Sequence, residues 1–75
     1  MARGTIATLK RVSRAGLIRR EAPGRREQYL FFEQRDVRHV PFESLREGQV
    51  VELDLTLDPI TGKVKAANVR PGVGI

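Results

Sequence analysis

The chain has 75 residues and a formal net charge of +5, so it forms at most one domain with a strongly basic surface. A chain of this length buries only about 60–65% of its unfolded surface, and we expect modest stability. It has no cysteine and a single histidine. This excludes a disulfide framework and thiolate metal sites, and we expect neither a metal nor a cofactor.

The positive charge is concentrated in the first half of the chain. Residues 1–38 hold ten Lys or Arg against four acids, whereas residues 39–75 hold four against five. Such asymmetry favours a polyanionic partner, most often nucleic acid; the alternative is a solubilising surface rich in arginine. No apolar run approaches the roughly 20 residues that span a bilayer. We therefore expect a cytoplasmic protein without membrane contact.

Residues 5–12 predict a first strand, because they are β-branched and contain neither Gly nor Pro. Their apolar side chains recur every third position instead of every second, at Ile6, Leu9 and Val12. That departure from alternation predicts a bulge or bend near Thr8. A second short strand is centred on Ile18.

Pro and Gly among charged residues then predict an exposed loop over residues 21–27, followed by a third strand, "YLFF". Residues 50–57 give the clearest alternation, typical of a half-buried strand. "DPITGK" predicts a hairpin loop, and a fifth strand follows it. Five short antiparallel strands with almost no helix predict an all-β fold, a small barrel.

Several segments occur in the order found in one known family: "GTI", the twelve-residue spacing from Gly4 to Gly16, "GLI", "YLFFEQRDV", "FESLREGQVVEL" and "AANV". The chain resembles the cold-shock domain family over residues 4–69. The resemblance implies a five-stranded antiparallel OB-fold barrel that binds single-stranded RNA or DNA. It implies one domain over residues 1–70, with a flexible tail at 71–75.

The family stacks bases on outward aromatic rings of the second and third strands. By the resemblance, Phe31 and Phe42 fall on stacking positions, whereas Leu17 stands where the family has a phenylalanine and Thr8 where it has a tryptophan. Glu33 replaces a histidine. Since each base stacked on an aromatic ring contributes roughly 1–3 kcal/mol, the lost rings predict weaker and less base-sensitive binding.

Arginine and lysine side chains on or beside the first two strands are predicted to offset part of this loss. A guanidinium can neutralise phosphate and also stack on a base. The nucleic-acid-binding residues predicted from the sequence are therefore Phe31, Phe42, Lys10, Arg11, Arg14, Leu17, Arg19 and Arg20. Binding should be electrostatic and weakly sequence-specific, and the resemblance implies an RNA chaperone or a regulator of gene expression.

An interaction module is the alternative: a barrel that has lost its nucleic-acid face and docks onto a protein, for example an acidic one. An enzyme is not expected, because neither Ser13 nor Ser44 has a neighbour that the sequence identifies as its base. We expect a monomer.

Overall fold

The computed structural model describes residues 2–20 and 27–72. Within them the chain forms strands β1 (Ala2–Lys10), β2 (Ala15–Arg20), β3 (Gln28–Glu33), β4 (Val50–Leu57) and β5 (Val64–Pro71), with single 3₁₀ turns at Gln34–Asp36 and Phe42–Ser44. These described residues contain no helix long and apolar enough to cross a membrane. The predicted loop at residues 21–27 falls almost wholly outside the described residues.

The strands form one sheet in the order β3-β2-β1-β4-β5, and every pair of neighbours is antiparallel. The prediction of an all-β fold with five antiparallel strands is confirmed. The sheet curls but is not closed by a continuous ladder. In the described part of the chain, its two ends meet at one parallel bridge between Val37 and Val69, where the Arg38 amide donates to the Val69 carbonyl at 2.7 Å.

The predicted irregularity in β1 is confirmed, since the pairing with β2 shifts register between Ile6 and Thr8. The bulge lets Ile6 reach the core while Leu9, three positions later, packs against its margin. Val12 is an exception to the predicted pattern. It lies in the turn after β1 and is fully exposed.

Alternation along β2 and β3 directs Ile18, Leu30 and Phe32 into the interior, where each is fully buried. They join residues from every strand and from the second 3₁₀ turn in a single apolar core: Ile6, Ile18, Leu30, Phe32, Phe42, Leu45, Val51, Leu53, Ala66 and Val69. The core therefore fills the concave side of the curled sheet.

Only the first half of β4 behaves as a half-buried strand. Val51 and Leu53 are buried, but Leu55 and Leu57 are 44% and 63% exposed. The reason is that the pairing of β4 with β1 covers Val50 to Leu53 and goes no further. Among the described residues, the second half of β4 is paired only with β5. The β4–β5 hairpin consequently projects from the sheet.

A largely buried ion pair links β5 to the turn that follows β3. The Lys65 ammonium lies 2.8 Å from the Asp36 carboxylate, and both side chains are almost nine-tenths buried. A buried pair of this kind is costly to break by removing one partner. It supports the contact between the two ends of the sheet.

The predicted boundary of the C-terminal tail needs correction. β5 runs through Pro71, which pairs with Val51, and the Gly72 amide donates to the Val50 carbonyl at 3.0 Å. Residues 71 and 72 thus belong to the sheet, because their backbone extends its ladder. Residues 73–75 lie outside the described residues.

Candidate nucleic-acid interface

Alternate residues of β1, β2 and β3 share the convex side of the sheet. Strand register arranges them in three rows, which we call the outer face: Lys10, Ala15 and Glu33; Thr8, Leu17 and Phe31; Thr5, Arg19 and Tyr29. Cross-strand neighbours in such rows lie about 5 Å apart, close enough for one ligand to contact several.

Phe31 lies in the middle row with its side chain 44% exposed, as the outward assignment predicted. Its strand neighbours Leu30 and Phe32 are fully buried, as the alternation of side chains along a strand requires. Tyr29 is 54% exposed on the same face, and the residues predicted from the sequence did not include it as a candidate. The signal was available, because a residue two positions from an outward residue of a strand also points outward.

The projecting β4–β5 hairpin stands beside this face and makes a cleft of about 340 Å³ with it. One wall is formed by Leu17, Tyr29 and Phe31, and the other is formed by residues of the hairpin: Asp58, Thr61, Lys63, Val64 and Lys65. The first wall is apolar and aromatic, and the hairpin wall carries most of the polar groups.

Phe42 is not part of this surface, and its prediction as a stacking ring is wrong. The side chain is only 2% exposed, and its ring centroid lies 6.2 Å from that of Phe32. The 3₁₀ turn that begins at Phe42 folds the ring onto the end of the core, beside the buried Leu45. A ring buried this deeply presents no face to a base.

Two of the predicted cations, Lys10 and Arg19, lie exposed on the outer face. Arg19 Nε is 3.3 Å from a carboxylate oxygen of Glu27, but both side chains are about half exposed. Exposed pairs contribute little and exchange readily for another anion. Arg20 points to the opposite side of β2 and donates to the Gln28 side chain at 3.1 Å, so the structure separates it from this face.

The two arginines of the β1–β2 turn are engaged with other parts of the chain. Arg11 donates to the carbonyls of Glu43 and Leu45 at 3.1 and 2.8 Å, which ties the second 3₁₀ turn to the sheet. Arg14 donates to the Gln34 side chain at 3.3 Å and lies 3.6 Å from the Glu43 carboxylate. We therefore assign Arg11 to the fold and place Arg14 beside the outer face, not on it.

Acidic groups border the candidate surface at two places. Glu33, at one end of the outer face, lies 3.0 Å from the Arg35 guanidinium, which offsets its negative charge. Asp58, on the hairpin wall, accepts hydrogen bonds from the amides of Ile60 and Thr61 at 2.8 and 3.2 Å. These two bonds hold the pKa of the Asp58 carboxyl below its ordinary value, so that carboxyl is ionised at neutral pH.

Nothing in the described ranges 2–20 and 27–72 resembles a metal centre, as no three His, Asp or Glu side chains cluster there. His39 is exposed in a loop. No protein-family model and no curated protein matches this chain. The feature of the described residues that points to a function is therefore the outer face.

Proposed function

We propose that the chain binds single-stranded nucleic acid on its outer face, with bases stacked on Phe31 and Tyr29. The observation that supports this most is the presence of two exposed aromatic rings on one face of β3. Residues two apart on a strand are separated by about 7 Å. This is about twice the 3.4 Å step between stacked bases of a strand, so the bases would unstack from each other and stack on protein rings.

Cations within reach of these rings supply the contacts to phosphate. On the outer face, Lys10 lies in the row next to that of Phe31, and Arg19 lies in the same row as Tyr29. Lys63 stands on the hairpin wall of the cleft. Each phosphate neutralised on a single strand changes the slope of log affinity against log salt by about −0.7. Three such contacts give a slope of about −2, and phosphate contacts do not distinguish one base from another.

The strand order is in keeping with this proposal. We infer that the curled β3-β2-β1-β4-β5 sheet is a partly open OB-fold barrel of the cold-shock kind. OB folds bind oligonucleotides with the face of strands 2 and 3, where Leu17, Tyr29 and Phe31 lie. The function is binding without catalysis, as in an RNA chaperone or a regulator of gene expression.

Titration with a fluorescently labelled heptameric single strand tests the proposal. Phe31→Ala and Tyr29→Ala should each weaken binding at least fivefold, because a stacked base contributes about 1–3 kcal/mol. Ile60→Ala is the matched control: Ile60 is an exposed apolar residue of the hairpin loop outside the cleft, and its loss should leave affinity unchanged. Absence of saturable binding by the unmodified protein at moderate salt would refute the proposal.

A protein-interaction module is the second candidate, favoured by the exposed apolar side chains of the hairpin. Leu57 and Val64 are directly opposite each other on β4 and β5. Leu55 is two residues from Leu57 along β4, on the same side of the strand. Contiguous exposed apolar residues often mark protein interfaces. If this is the function, Leu57→Asp will abolish capture of an acidic protein partner, because it replaces apolar contact by like-charge repulsion, and Phe31→Ala will leave that capture intact.

A further inference from the structure

We propose that the cleft beside the outer face prefers a base with an exocyclic amino group over one with a carbonyl at that position, and that Asp58 makes the distinction. Cytosine would bind better than uracil. The inference rests on the proposed function and adds to it a base preference that stacking and phosphate contacts do not produce.

The position of Asp58 suggests the distinction. A base stacked on Phe31 presents its hydrogen-bonding edge sideways, in the plane of its ring. The β4–β5 hairpin stands on that side of the cleft, and its polar groups face the aromatic wall from Asp58, Thr61 and Lys63. The edge of the base therefore meets the hairpin wall.

The Asp58 carboxylate is held in a fixed orientation. Its Oδ1 atom accepts the amide hydrogen bonds of Ile60 and Thr61, and the Asp58 backbone accepts the Gly62 amide at 2.8 Å. Its Oδ2 atom has no hydrogen-bond partner among residues 2–20 and 27–72. An ionised carboxylate only accepts hydrogen bonds, so Oδ2 can accept from the cytosine N4 amino group and repels the uracil O4 carbonyl.

The other polar groups on this wall are less able to choose between bases. The Lys65 ammonium is paired with Asp36 at 2.8 Å. Lys63 is a point charge on a flexible stem, suited to phosphate and indifferent to base geometry. The Thr61 hydroxyl, which accepts the Lys63 amide at 3.2 Å, can both donate and accept. Among the described side chains that line the hairpin wall of the cleft, Asp58 is thus the one that only accepts hydrogen bonds.

Equilibrium titration with two RNA heptamers, C7 and U7, at one salt concentration tests the inference. These bases have the same ring size and differ only at ring positions 3 and 4, so stacking is closely matched. The unmodified protein should bind C7 about tenfold more tightly than U7, because one hydrogen bond to a charged group contributes about 1.5 kcal/mol. Asp58→Asn keeps an acceptor for the turn amides and places an amide donor at the Oδ2 position, so the preference should vanish or reverse toward U7.

Asp54→Asn is the charge-matched control. Asp54 accepts from the Asn68 side chain at 2.8 Å and does not line the cleft, so its variant should keep the C7 preference. Equal binding of C7 and U7 by the unmodified protein, or an unchanged preference in Asp58→Asn, would overturn the inference and leave the proposed function standing. Failure to bind either heptamer would refute the proposed function itself.

Discussion

The inner and outer faces of β2 and β3 are made from alternate residues of the same two segments, yet they differ in almost every property. On the inner face Ile18, Leu30 and Phe32 are fully buried. On the outer face Tyr29 and Phe31 remain about half exposed beside charged residues. The inner face thus carries the apolar packing of the fold, whereas the outer face keeps its rings open for the binding proposed above.

Phe31 and Phe32 make this separation measurable, since they are neighbours of identical chemistry. Phe32 contributes through packing against other core residues, whereas Phe31 has an open ring face that burial in the fold does not use. A ligand can gain apolar contact with the Phe31 ring without disturbing the core packing of Phe32. Substitutions on the two faces should therefore affect different measurements.

The largest expected effect is that of Phe32→Ala. Truncating a buried phenylalanine costs about 3–5 kcal/mol, and a domain of this length has a total stability of about 4–11 kcal/mol. The free energy of unfolding, measured by urea denaturation, should fall by a large fraction or the variant should not fold. Phe31→Ala should change that free energy by less than about 1 kcal/mol. Equal losses in the two variants would contradict the assignment of the two faces.

Gly16→Ala should also destabilise, by about 1–3 kcal/mol, through overpacking. A Cβ atom at Gly16 would lie 2.7 Å from the Thr8 carbonyl oxygen and 2.8 Å from the Phe32 ring. Because the ring is one of the two obstacles, Phe32→Leu should cost less in the Gly16→Ala background than in the unmodified protein. Additive losses in this double-mutant cycle would show that the two sites are not in contact.

Arg11 and Arg19 have different roles: Arg11 has a structural role, and Arg19 lies on the outer face. Arg11→Ala removes two hydrogen bonds to carbonyls and should lower the free energy of unfolding by about 1 kcal/mol, leaving the salt dependence of oligonucleotide binding unchanged. Arg19→Ala should do the reverse: stability stays within about 0.5 kcal/mol, and the salt slope becomes shallower by about 0.7. The opposite pattern would exchange the two roles.

The smallest expected effect concerns Asp58, at the border of the outer face. Its pKa is lowered from the ordinary value of 3.8 by the amides of Ile60 and Thr61. Because this pKa is lower in the folded than in the unfolded state, the ionised carboxylate stabilises the fold at pH values above its pKa in the unfolded state. That contribution is lost as the pH falls through its pKa in the folded state. NMR titration of the carboxyl carbon should therefore give a value below 3.8, and Asp58→Asn should show less loss of stability on acidification than the unmodified protein.

Much of the sheet could be predicted from periodicity alone. The bulge in β1 and the bounds of β4 follow from which positions are apolar. The outward orientation of Phe31 was predicted from the family resemblance instead, because every residue of "YLFF" is apolar or aromatic. Alternation does not show how far a neighbouring strand extends, so the exposure of Leu55 and Leu57 could not be anticipated. It depends on where β1 ends its pairing with β4.

The candidate site was less predictable, for two physical reasons. Phe42 lies in a turn, where no periodicity of apolar residues indicates which way its ring points. The availability of a cation depends on partners distant in sequence: Arg11 is bound by carbonyls about 30 residues away, and Lys65 is neutralised by Asp36. The net charge includes both cations as if they were available to a ligand, although both have partners within the fold.

The central position of β1 also affects how the chain folds. Its hydrogen bonds to β4 join Ala2 to Leu53, so roughly 50 residues must be enclosed before the sheet has its middle strand paired on both sides. A β1–β2 hairpin can form early by local pairing, but that second partner arrives late. We expect millisecond or slower refolding, limited by the search for this long-range contact.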